Sequence, residues 1–165
     1  MTKMSDPREL FLHELGDILY AENVLVKALP KLAQEASDDE LRAGFEEHLE
    51  QTKQHVRNIE RAFEALGEKA KAEKCPGIEG IKAEHDEFMQ QEEPSPEVAN
   101  LFLTGAGSRA EHYEIAAYTS LLISANALGE TECASLLNEN LEQEKLALAK
   151  LEKVARRLAM TGAPA

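Results

Sequence analysis

Apolar residues recur along most of this chain in steps of three and four, the spacing of a single helix face. Phe11, Leu15, Ile18, Leu19, Leu25, Val26 and Leu29 make the first stripe. It starts behind Asp6-Pro7-Arg8-Glu9, an N-cap, a proline at the first helical position and a capping-box acid. Pro30 predicts a kink near the end of this helix. Ser37-Asp38-Asp39-Glu40 is a second capping box, followed by Phe45, Leu49, Val56, Ile59, Phe63 and Leu66 until Gly67 supplies a stop. Ser95-Pro96 opens a third helix that runs to Leu128 and Gly129. Thr131 caps a fourth, with Leu137, Leu141, Leu148, Leu151 and Leu158 inward, fading at Gly162. Nowhere does the two-residue alternation of a strand occur.

The predicted elements are helix one over 6–35, helix two over 38–66, helix three over 96–128 and helix four over 131–160. Residues 67–94 form a crossover rich in Lys and Glu, containing CPGIEG and a short helix, IKAEHDEFMQ (81–90). Two helical hairpins joined by a long crossover give an all-α, ferritin-like four-helix bundle. The length, 165 residues, suits a single domain over 1–165.

The two hairpins superpose in sequence at an offset of 92 residues without gaps. Glu22 falls on Glu114, Leu29 on Leu121, Ala33 on Ala125 and Glu40 on Glu132. LEQTK (49–53) falls on LEQEK (141–145), Ile59 on Leu151 and Leu66 on Leu158. This is the signature of a pseudo-twofold bundle. It also singles out polar residues on faces that should be buried. Glu22 continues the stripe of helix one, Glu114 is its equivalent on helix three, and Glu144 sits between Leu141 and Leu148. The counterpart of Glu144 is Thr52, with His55 one turn further along the same side. Glu111 lies one turn before Glu114.

A buried ionised carboxylate without compensation costs several kcal/mol even after relaxation. No lysine or arginine occupies the matching inward positions. Metal is the cheapest compensation, and oxygen ligands with a nitrogen suit iron or manganese. Candidate ligands are therefore Glu22, His55, Glu111, Glu114 and Glu144. His48, one turn from Thr52 on the other side, ranks behind His55 as the nitrogen ligand. His13, His85 and His112 read as solvated or crossover residues, and Tyr20 and Tyr118 either as packing residues, the commoner role of Tyr in a bundle, or as hydrogen-bond donors behind the ligands. The competing reading, acids paired with an Arg or Tyr or lying at a wet bundle end, bears most on Glu111. No motif encodes a pocket for an organic substrate.

The net charge of −13 argues against general nucleic-acid binding, which needs a basic footprint. No apolar run approaches a membrane span. MTKMSDPREL lacks the pattern of a signal peptide, so the cytoplasm is the expected location. Cys75 and Cys133 make neither a disulfide framework nor a CxxC site and read as free thiols.

AEHYEIAAY (110–118), EKCPGIEGIKAE (73–84) and HLEQTKQHV (48–56) closely resemble the YciE/YciF family of bacterial ferritin-like stress proteins. The resemblance runs from LFLHELGDILYAE (10–22) to the LEQEK helix. It implies a fold similar to rubrerythrin and manganese catalase, a two-metal site and frequent homodimers. The chain departs from the general ferritin-like ligand pattern, a Glu on each of two helices and Glu-x-x-His on the other two. Here those motifs read Thr52-x-x-His55 and Glu144-x-x-Ala147, and Glu111 is the substitute at hand. The leading expectation is a carboxylate-bridged dinuclear metal protein of the stress response, with two iron ions or manganese, handling oxygen, peroxide or iron. The alternatives are a structural or metal-binding dimeric bundle without turnover, and a metal-free scaffold.

Overall fold

The first four helix starts in the computed structural model, which describes residues 4–161, fall where the chain offers free backbone N–H groups a side-chain acceptor. The helices are α1 (Pro7–Glu35), α2 (Asp39–Ala65), α3 (Pro76–Gln91), α4 (Pro96–Leu128) and α5 (Thr131–Thr161). Asp6 accepts from the Arg8 amide at 2.8 Å ahead of Pro7. Asp38 accepts from the Leu41 amide at 2.9 Å, so it caps α2 in place of Ser37, the first residue of the capping box. Ser37 is held instead by Asn100, whose Oδ1 accepts from its amide at 3.0 Å and whose Nδ2 donates to its hydroxyl at 2.8 Å. α1 runs unbroken through the exposed Pro30. Thr131 is the first helical residue of α5, just after the left-handed Gly129 that ends α4. Gly162, where the pattern has the last helix fade, lies outside the described residues.

The short crossover helix is longer than its sequence suggests. α3 starts at Pro76 rather than near residue 81, because Cys75 Sγ accepts from the Ile78 amide at 3.5 Å and caps it. CPGIEG stands ahead of the predicted short helix, and each of its glycines disfavours helix by about 1 kcal/mol. Packing decides otherwise. A Cβ on Gly77 would come within 2.5 Å of the Tyr113 ring, so glycine is what lets α3 lie directly on α4.

α1 packs on α2 and α4, α5 packs on the same two helices, and α3 lies across α4 and α1. Three residues (36–38) join α1 to α2, and two (129–130) join α4 to α5. Such short connections make antiparallel neighbours. The crossover is tied to α1 by the Glu73 amide, which donates to the Gly16 carbonyl at 2.9 Å. Among the described residues there is no strand, and no helix is long and apolar enough to cross a membrane.

The apolar core falls into two clusters. One gathers Phe11, Leu15, Ile18, Ile59, Tyr118, Leu121 and Leu137; the other gathers Leu29, Leu41, Phe45, Leu103 and Val154. Leu148, Leu151 and Leu158, expected inward, are only partly buried. Between the clusters, at the middle of each long helix, lies a buried polar layer.

Candidate metal centre

Each long helix carries its polar residues into that layer by ordinary helical spacing. Glu22 comes from α1, His48, Thr52 and His55 from α2, Glu111 and Glu114 from α4, and Glu144 from α5, all buried. The structure thus brings together all five residues singled out in the sequence, and adds His48. Their donor atoms form two groups, His48 with Glu111, Glu114 and Glu144, and Glu22 with His55 and Glu144, each spanning at most 4.8 Å. Glu144 belongs to both.

His55 Nδ1 lies 2.8 Å from Glu144 Oε1 and 3.3 Å from Glu22 Oε1. His48 Nε2 lies 3.2 Å from Glu111 Oε1 and 3.6 Å from Glu144 Oε2. Close as they are, His55 Nδ1 and seven-tenths or more of the carboxylate oxygens here find no partner of hydrogen-bonding geometry: Glu22 Oε2, Glu111 Oε2 and both oxygens of Glu114 and Glu144 stand alone. Among the described residues, no other buried side-chain nitrogen or oxygen is orphaned. Ligand atoms about 2.1 Å from one ion sit about 3 Å apart. The donor set therefore fits bound cations better than it fits a hydrogen-bonded network.

Electrostatics agree. Burial drives the carboxyls of Glu111, Glu114 and Glu144 above the ordinary carboxylate range, and repulsion among the neighbouring acids adds to it. His48 opposes the shift at Glu111, and His55 opposes it at Glu144. Burial alone would lower His55, but the adjoining Glu144 and Glu22 outweigh it and bring its pKa to about 10.

The atoms behind the imidazoles explain the LEQ repeat. Gln143 Oε1 accepts from His55 Nε2 at 3.0 Å, and Gln51 Oε1 accepts from His48 Nδ1 at 3.3 Å. Gln51 and Gln143 are repeat mates, 92 residues apart. Each leaves the other ring nitrogen facing the carboxylates, where it could serve a cation in place of a proton. Metal-binding histidines are usually held in this way. A chain of donors runs along the far side: Gln54 Nε2 to Asn58 at 2.9 Å, Asn58 Nδ2 to Asn140 at 2.8 Å, and Asn140 Nδ2 to Tyr118 Oη at 3.0 Å. Tyr118 Oη in turn donates to Glu22 Oε1.

Both imidazoles, one turn either side of Thr52, reach the acids, which helical position alone does not show for His48. Asn58 and Asn140 are buried as well, and their signal in the sequence is an amide on an otherwise apolar stripe. Tyr20 is half-buried and donates to Glu79 on α3, not to a ligand. His85 is buried rather than solvated, 2.8 Å from Glu35 and 3.1 Å from Asp86, while His13 and His112 are exposed as expected. Thr52 donates to the His48 carbonyl at 2.9 Å and offers nothing to the acids. Ala147 lines a cavity of about 270 Å³ between α2 and α5 that ends at His48 and Glu111. A second cavity, about 130 Å³, reaches His48, Glu111 and Glu114 from the α3 side. The site thus has two approaches, which no sequence motif announced.

Comparison with known proteins places this architecture. The domain of unknown function DUF892 matches residues 6–163. The chain is 37% identical to protein YciF of Escherichia coli K12 over 153 residues, 92% of each chain. The crystal structure of the E. coli stress protein YciF aligns with a TM-score of 0.89 at 36% identity, covering 94% of this chain and 98% of that one. YcfI from Rhodopseudomonas palustris, proposed to be a structural protein, aligns at 0.88 with 35% identity over 91% and 95% of the two chains. A protein from Xanthomonas campestris pv. campestris, 23% identical, shares the fold at 0.74 over 95% of both chains. On both the family match and the YciF relationship, the chain belongs to the DUF892 family.

Proposed function

We propose that the polar layer is a dinuclear metal centre within a ferritin-like four-helix bundle. Glu22, His55 and Glu144 would hold one divalent ion, and His48, Glu111, Glu114 and Glu144 the other, with Glu144 bridging. Iron is the first choice and manganese the alternative, since both accept mixed carboxylate and imidazole ligands. The observation that carries the reading is the set of orphaned, buried donor atoms gathered around one shared carboxylate. When bound, such ions supply Lewis acidity and one-electron chemistry toward oxygen or peroxide. The chain's own part is to orient and to hold protons. Gln143 and Gln51 fix the two imidazoles, the amide chain fixes Tyr118 as a donor to Glu22, and Glu111 is the carboxylate best placed to take up a proton beside the cavities. A homodimer in the cytoplasm, without nucleic-acid partners, completes the proposal; it rests on the family resemblance and the charge of −13.

A second reading, a metal-stapled structural protein without turnover, is favoured by Thr52 and Ala147, which stand where the general pattern has ligands and leave Glu111 and His48 to supply that carboxylate and imidazole from other positions. Binding to the native state alone would then add to stability. Elemental analysis of protein purified without chelator tests the centre itself: about two ions per chain are expected, and Glu144→Ala should lose both. Unchanged metal in that variant would end the assignment. Anaerobic Fe(II) loading followed by air or peroxide, watched by near-ultraviolet absorbance, separates the two readings.

A further inference from the structure

Ala147 is the repeat mate of His55, so the pseudo-twofold leaves space on the Glu111 side where the other half has an imidazole. That space is the inner end of the cavity of about 270 Å³ between α2 and α5. Its walls are Leu41, Phe45, Leu151 and Val154, and its outer rim consists of exposed residues, among them Gly44 and Lys153. A cavity of about 150 Å³ takes up one benzene ring, so this one has room for a substituted ring. Glu111 lines it while only 6% exposed; its Oε2 has no hydrogen-bond partner and is itself fully buried. An anionic head group would meet the acids of the polar layer, and the rim's Lys150 is already taken by Glu47 at 2.7 Å. A neutral hydroxyl suits the end wall.

We propose that this cavity seats a one-ring organic alcohol of the phenol class, its ring between Leu41, Phe45, Leu151 and Val154 and its hydroxyl donated to Glu111. As a ligand seat beside the proposed metal centre, it rests on that reading for its role as a substrate site. Phenol added to the full chain loaded with zinc, a diamagnetic ion, should give intermolecular NOEs to the methyl groups of Leu41, Leu151 and Val154. Benzoate, with the same ring and a negative head, should bind at least about tenfold more weakly. Ala147→Leu fills the inner end. Gly44→Leu narrows the mouth, and nothing lies within 4 Å of a Cβ there. Both variants should weaken phenol binding by about tenfold or more with bound metal unchanged. NOEs to Leu25 or Ile81 of the other cavity, contacts from a second copy of the chain covering the same methyls, or wild-type phenol binding in both variants would overturn the proposal. Metal bound without phenol removes this seat alone; phenol seated in a chain that takes no metal removes the metal centre and leaves the seat.

Discussion

Both carboxylate oxygens of Glu114 are buried without a hydrogen-bond partner, and burial, reinforced by Glu144, Glu22 and Glu111, drives its carboxyl far above the usual range. Without a cation this side chain must stay protonated, and the fold bears that cost whenever the solution is neutral or basic. Glutamine copies the shape of the neutral acid and carries no charge to suppress. Glu114→Gln is therefore expected to make the metal-free protein more stable at pH 8 by roughly 1 kcal/mol, a rise in Tm of about 2–4 °C for a chain of this size. The same substitution should lower bound metal. Stability gained and ligand lost together are the mark of a site selected for binding rather than packing. A Glu114→Gln protein that is less stable metal-free, or that retains full metal, would show that this acid is satisfied in some other way. Tyr118, fully buried beside Glu22, is kept protonated mainly by that burial and serves as a fixed donor.

At the level of helices, the LEQ motif does the same task twice: α2 presents Gln51 to His48 and α5 presents Gln143 to His55. Neither glutamine is fully buried, so Gln143→Leu should fold normally while weakening metal binding by about 10–100-fold, as loss of a histidine's outer partner does. Metal titration against a chromophoric competitor, with circular dichroism as the folding control, measures both. α3 makes a contrasting case. Gly77→Ala should raise helix propensity, yet the new Cβ would press on a Tyr113 ring whose Oη is held at 2.9 Å from Cys75 Sγ and 3.1 Å from Asp17. The net expectation is destabilisation of about 1–3 kcal/mol, the usual cost of overpacking, seen as faster amide exchange across α3. The long helices were legible because their stripes and caps are local. The start of α3 was not, since Cys75 as a cap and Tyr113 as a neighbour belong to tertiary packing. The acids of the polar layer were legible from the repeat, which gave depth as well as face. His48, His85 and the asparagine chain were not, because a polar residue's partners lie on other helices, and neither cavity follows from any one stretch of sequence.

Across the whole molecule the same charges set a pH dependence that metal should reverse. Unfolded glutamates titrate near pH ~4.3 and histidine near ~6.5. In the metal-free fold Glu111, Glu114 and Glu144 keep their protons to higher pH, and His55 keeps its proton to about 10. Between roughly pH 5 and 9 the folded chain thus binds more protons than the unfolded one, and stability falls as pH rises. The contribution of His55 is fully present below about pH 6.5 and is lost as pH climbs through its folded value. On the acid side the sign changes. Asp86 is held low by Lys31 and Lys82, and Asp38 by Arg157, so their contributions exist above the ordinary aspartate range and vanish as pH drops below it. The metal-free optimum should therefore lie near pH ~5. Cations displace the protons from these same groups, so binding strengthens as pH rises. Melting followed by circular dichroism at pH 5, 6.5 and 8 should show the metal-free Tm falling by several degrees while the gap between loaded and metal-free protein widens. A metal-free Tm that holds level or climbs over this range would mean that the acids of the polar layer are ionised and satisfied without a cation, and the centre would have no electrostatic reason to bind one.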